Sequence, residues 1–164
     1  MKLFLLRHAE AEDLAPDHAR PLSAHGRATI KHLAAFLARR HLAVSPTALW
    51  HSPLLRARQT ATLFCESAGL TIPLHEVDGL RPMDDPRLML ERLNQTQEPV
   101  LLVGHNPHFE LLANLLLLGD DRRAQPPVVN IPKASLLRFR RIGSGPRACW
   151  QLRDLLTTKL SGSP

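Results

Sequence analysis

Tyrosine is absent from the 164 residues, and aromatic side chains of all kinds make up only 4%. The basic residues are scattered, with no basic run interleaved with aromatic rings, which argues against a nucleic-acid interface. Cysteine occurs only twice, at Cys65 and Cys149, too few for a disulfide-stapled scaffold. The pair reads as two reduced thiols, although sequence alone leaves a disulfide open. The nine histidines stand singly, with neither a His-Glu-x-x-His nor a Cys-x-x-Cys pattern, so no metal site is expected. Long apolar runs are missing too. The first is broken by Arg7 before it reaches the length of a secretory core, and the longest, Leu111 to Leu118, is far short of a bilayer span. A soluble cytoplasmic protein without membrane or cofactor partners is the expectation.

What is present is one core's worth of chain and a formal charge of +6, an excess that favours anionic partners. The stretch that organises it is Leu3-Phe4-Leu5-Leu6-Arg7-His8. A short apolar run reads as a buried parallel strand, and in an open α/β sheet ligands bind beyond the carboxyl ends of the strands. Arg7 and His8 would emerge there. Taken alone, the pair is better read as a strand that simply ends in polar residues at the surface; the rest of the chain shifts that balance.

The pattern then repeats. A polar, acidic loop, Glu10 to Arg20, leads to Ser23, a capping residue for a helix carrying Ile30, Leu33, Ala34 and Leu37 at helical spacing. Ala48 to His51 reads as a second strand, followed by Ser52-Pro53 as a helix start, with Gly69 placed to end that helix in a left-handed turn. Arg56 lies near its N-terminus. Arg58, two residues on, points elsewhere, so at most one of the two reaches a common site. Thr71 to His75 is a short strand that Pro73 assigns to an edge or irregular position. Glu76, Asp78, Asp84 and Asp85 crowd the next loop, and Asp85-Pro86 opens a short helix with Leu88, Met89 and Leu93 as its apolar contacts. Pro99 to Val103 is apolar on both faces and therefore central. Gly104-His105-Asn106-Pro107 follows, with Asn106 as the cap of a helix ending near Leu118-Gly119. Ala134 to Arg141 and Ala148 to Leu152 flank a Gly143-Ser144-Gly145-Pro146 turn and read as an antiparallel edge hairpin.

Three strands thus hand over to residues suited to a phosphoryl group, two of them at helix N-termini that favour anions. Leu-Arg-His-Ala-Glu from Leu6, Arg20-Pro-Leu-Ser, Ser52-Pro-Leu-Leu-Arg-Ala-Arg-Gln-Thr and Gly104-His-Asn-Pro, in that order, resemble the histidine phosphatase superfamily, in particular its small SixA-type phosphohistidine phosphatases. The resemblance implies a phosphoglycerate mutase-like fold: a three-layer α/β/α sandwich with a mostly parallel sheet and an antiparallel edge hairpin. One domain spans 1–160, with a frayed tail at 161–164. One departure is Ala9 where the superfamily carries glycine.

The resemblance makes His8 the nucleophile, with Arg7, Arg56 and His105 beside it as catalytic groups, and Arg7, Arg20, Arg56, His105 and Asn106 around the phosphate. The chemistry is metal-free attack of a neutral imidazole on phosphorus, with arginines bracing the equatorial oxygens. Glu76, Asp78, Asp84 and Asp85 are the candidate proton donors, unranked. Without a large insertion the site would be open enough for a phosphorylated protein, such as a histidine-containing phosphotransfer domain in signalling. A phosphatase of small phosphoesters and a non-catalytic phosphoprotein binder are the alternatives.

Overall fold

The structure is a computed structural model that describes residues 1–13, 16–119, 126–143 and 148–158. Its first strand, β1 (Lys2–Arg7), has Leu3, Phe4, Leu5 and Leu6 fully buried because both faces of the sheet are covered. Alternation sorts them. Phe4 and Leu6 pack with Ile30 and Leu33 of α1 (Ala24–Arg39) and with Ala61 and Phe64 of α2 (Leu55–Ala68). Leu3 and Leu5 pack with Met89 and Leu93 of α3 (Pro86–Gln95) and with Phe109 and Leu112 of α4 (His108–Leu118). This is a three-layer α/β/α sandwich. Ser23 caps α1 by accepting the Gly26 N–H at 3.0 Å, and Gly69, at φ +65°, closes α2 in the left-handed region.

The remaining strands are β2 (Ala48–His51), β3 (Leu74–Glu76), β4 (Val100–Gly104), β5 (Leu136–Ile142) and β6 (Cys149–Leu156), in sheet order β3-β2-β4-β1-β5-β6. The first four in that order run parallel, and β5 and β6 add an antiparallel edge. Register aligns the functional ends. Arg7 lies opposite Gly104 and His51 opposite Val103. The ladder continues past the strands, with His8 N–H donating to Gly104 O and Ser52 N–H to Val103 O, each at 3.0 Å.

Several local expectations need correction. The helix predicted from Ser52-Pro53 starts at Leu55, because the buried Ser52 hydroxyl is committed to His105 and only weakly approaches the Leu54 N–H, at 3.4 Å. Asn106 is not a helix cap either: α4 is preceded by Pro107, and the Asn106 amide donates to Ile131 O at 3.0 Å. Of the apolar residues assigned to the contacts of α3, Met89 and Leu93 are buried but Leu88 faces solvent. The strand expected at 71–75 is shorter and later, and does lie at the edge. In the hairpin β6 runs on to Leu156, helped by an Arg138–Asp154 ion pair beside a register shift at Arg138/Phe139. Turn residues 144–146 and the tail at 161–164 fall outside the described residues.

Gly26 lets the start of α1 approach the backbone that follows β1, since a β-carbon there would lie 2.1 Å from the Glu10 carbonyl oxygen. Glu10 O also receives the Ser23 N–H, so it cannot easily retreat. Gly26→Ala is expected to cost about 1–3 kcal/mol, read as a lower urea midpoint at unchanged slope.

Candidate active site

His8 follows the end of β1 and is 8% exposed. Its Nδ1 lies 2.6 Å from the Ala9 carbonyl oxygen, an acceptor, so that nitrogen carries the proton and Nε2 keeps its lone pair. Burial pushes the His8 pKa down to about 4; the Ala9 contact opposes this, and the charges of Arg56, Arg7 and Lys133 add to it. The imidazole is therefore neutral at physiological pH. His105, 1% exposed after β4, brings its ring centroid to 4.8 Å from that of His8 at a tilt of 52°. Ser52 Oγ lies 2.9 Å from His105 Nε2. Burial, followed by the neighbouring His8, Arg56, His108 and Arg7 charges, holds His105 far below the usual histidine range.

The first strand end is pinned from the other side as well. Arg7 N–H donates to Ser135 O at 3.1 Å, and Ala134 N–H is shared between Arg7 O and His8 O at 3.2 Å each. Arg7 Nη1 donates to Ile131 O at 2.6 Å, while its Nε is buried without a protein partner. His105 Nδ1 is in the same condition. Buried polar nitrogens that lack a hydrogen-bond partner are uncommon and call for an explanation.

Arg56 turns inward and is 6% exposed, whereas Arg58 faces solvent, so one of the two reaches the site. Arg56 Nη1 donates to Asp17 O at 2.9 Å, and its guanidinium meets the Asp17 carboxylate at 3.3 Å. Arg20 joins the same carboxylate at 3.2 Å, while its Nε donates to Glu12 O at 2.7 Å and its Nη2 lies 3.4 Å from Asp13. One carboxylate therefore bridges Arg20 and Arg56.

The other sequence candidates sit differently. Asn106 holds the 131 loop by its amide nitrogen, and its Oδ1 is buried without a partner. Glu76 and Asp78 are exposed, the latter 3.8 Å from Arg81. Asp84 accepts the Arg81 N–H at 2.8 Å and Asp85 caps α3 through the Arg87 N–H at 3.0 Å. Both lie close enough to His108 for their charges to raise its pKa against the burial that lowers it to about 4. Sequence reasoning missed Ser52 as the partner of His105, Asp17 and Lys133. Ser52 was visible but read as a cap; Asp17 and Lys133 carry no pattern that separates them from solvated loop charges. Among the described residues, no three His, Cys, Asp or Glu side chains are grouped to hold a metal ion.

A family model described as the histidine phosphatase superfamily (branch 1) matches residues 3–89, just over half of the chain and inclusive of Arg7, His8, Arg20 and Arg56. The chain belongs to this superfamily.

Solved structures agree on its fold. The protein histidine phosphatase SixA in complex with tungstate superposes with TM-score 0.82 at 22% identity, covering 98% of this chain and 99% of that one. A candidate phosphohistidine phosphatase SixA from Agrobacterium tumefaciens gives 0.74 at 28%, covering 95% and 97%. The alpha-ribazole phosphatase from Shigella flexneri gives 0.75 at 18%, covering 96% and 97%. No curated protein matches. Against the superfamily's usual glycine, Ala9 is fully buried with φ outside the positive region, and its N–H donates to Thr60 Oγ1 at 3.2 Å. Alanine is thus accommodated without backbone strain.

Three buried histidines with lowered pKa values couple folding to pH. The unfolded chain binds protons below about 6.5 and the native state resists them to about 4 at His8 and His108, so stability falls as pH drops through that window. Chemical denaturation at pH 7 and pH 5 should show a loss of a few kcal/mol, and His108→Gln should flatten the slope.

Proposed function

We propose that this chain is a phosphatase that transfers a phosphoryl group to His8 and then to water, and that its substrate is a phosphohistidine on a protein. The observation that carries the reading is a buried, neutral imidazole beside two unpartnered buried nitrogens, the donor Arg7 Nε and His105 Nδ1, with the guanidinium of Arg56 at hand. Donors without acceptors, in a cationic recess, are what a tetrahedral oxyanion completes. The tungstate held by the SixA neighbour supports such a guest.

The reaction runs in two displacements. His8 Nε2 attacks phosphorus in line as the substrate's P–N bond breaks, and the departing imidazole takes its proton from solvent. Water then attacks the phosphohistidine, the P–Nε2 bond breaks, and phosphate leaves with His8 restored. In both steps the Nδ1–H bond to Ala9 O fixes the ring and offsets the positive charge that develops on it. Arg7, Arg56 and His105 donate to the equatorial oxygens, where the transition-state charge spreads. Arg20 acts at the rim.

The leaving group favours the protein substrate. Asp84 and Asp85 are engaged in backbone caps, and Glu76 and Asp78 lie in solvent, so none is held beside His8 as a dedicated acid. A labile P–N bond demands less protonation than a sugar or serine ester. The segment between β3 and α3 is short and carries no large insertion, which suits a phosphorylated side chain still attached to its protein. The alpha-ribazole phosphatase neighbour favours the alternative of a small phosphoester.

Phosphate release from a phosphorylated histidine phosphotransfer protein, measured with EDTA present, tests this. Wild type should be unaffected by the chelator, and His8→Ala should lose about three orders of magnitude or more. Residual wild-type rates in the variant would remove His8 as nucleophile. Higher catalytic efficiency on small esters would move the chain to the alternative.

Ser52→Ala leaves the His105 ring without its 2.9 Å partner. The expected result is a fall in kcat of about tenfold to a hundredfold with little change in melting temperature.

A further inference from the structure

We infer that Asp17 is an internal competitor of the phosphoryl group: its carboxylate occupies the guanidiniums of Arg20 and Arg56 and keeps the site's hold on free phosphate weak. This rests on the phosphoryl-site reading above and adds a residue that sets oxyanion affinity.

The contacts themselves point to a replaceable anion. Asp17 Oδ1 meets Arg20 Nη1 at 3.2 Å and its Oδ2 meets Arg56 at 3.3 Å, longer than the 2.7–2.9 Å typical of strong charge-assisted bonds. The side chain is 62% exposed, although that of Arg56 is almost wholly buried. Arg56 does not depend on the carboxylate for its position, because its shortest bond, 2.9 Å, goes to the Asp17 main-chain oxygen. The main-chain bond can persist while the side chain swings into solvent.

Charge favours the exchange. Slight burial pushes the Asp17 carboxyl up, but the Arg56 and Arg20 charges outweigh it and hold the group below the ordinary carboxylate range, so it is ionised wherever His8 is neutral. A phosphoryl dianion brings more charge and three oxygens to the donors that one carboxylate holds loosely. When phosphate departs, the carboxylate returns. Such a residue costs some substrate affinity and in return opposes product trapping.

The test is binding, independent of turnover. Dissociation constants for inorganic phosphate and tungstate would be measured by calorimetry on wild type, Asp17→Asn, Asp17→Glu and Glu98→Gln. The last removes one exposed negative charge just before β4, at the end of the sheet away from His105. Asp17→Asn should bind both anions roughly three- to tenfold more tightly, the scale of one half-exposed ion pair. Glu98→Gln and Asp17→Glu should stay within about twofold of wild type. Equal or weaker binding by Asp17→Asn overturns the inference, since a merely structural Asp17 would loosen Arg56 on removal. Equal tightening by Asp17→Glu overturns it as well, because charge would then not be the cause. If neither wild type nor Asp17→Asn binds either anion, the phosphoryl site itself fails, and this inference with it.

Discussion

The parallel register of three neighbouring strands is the constraint on which the rest depends. With Arg7 opposite Gly104 and His51 opposite Val103, the residues that follow each strand, His8, His105 and Ser52, emerge side by side at one edge. The ladder bonds from His8 and Ser52 to the β4 carbonyls extend that order one residue past the strands. A slip of one residue would turn Leu3 and Leu5 toward the wrong helix layer and send the two imidazoles to opposite faces. Core packing and site geometry are therefore specified together. The same leucines and phenylalanines that make the sheet central also fix the 4.8 Å separation of the histidine rings.

Electrostatics follow from that placement. Burial is the leading cause of the lowered pKa of both His8 and His105, and the surrounding arginine charges act in the same direction. A nucleophilic nitrogen needs its lone pair, and the fold supplies it by keeping water and acids away from the rings. Cations and neutral imidazoles crowded into one recess are poorly satisfied until an anion arrives. Part of this unsatisfied capacity is met by Asp17, by main-chain oxygens at Asp17 and Ile131, and by Ser52. Arg7 Nε and His105 Nδ1 are among the atoms left without a partner.

Much of this was legible in the residue order because a buried strand, a capping serine and a helix-ending glycine each have a local signature. β1, β4, Ser23 and Gly69 fall where those signatures put them. The inward arginine was narrowed to one of Arg56 and Arg58 by helical geometry, and packing chose Arg56. Ser52 and Asn106 were misread for one reason. Both have the right chemistry for a helix cap, but each found a partner distant in sequence, His105 and Ile131 respectively. Leu88 was assigned to the core on periodicity, whereas α3 is covered on one side only.

Local chemistry determined the order of elements, the central strands and which histidines and arginines stand at strand ends, since backbone preference and apolar spacing act over a few residues. Tertiary structure alone decided that Arg20 and Arg56 share one carboxylate, that Ser52 serves a histidine and that Ala9 sits unstrained. Those outcomes depend on side chains brought together across tens of residues, where the deciding quantity is which donor lies within reach of which acceptor once the core has closed.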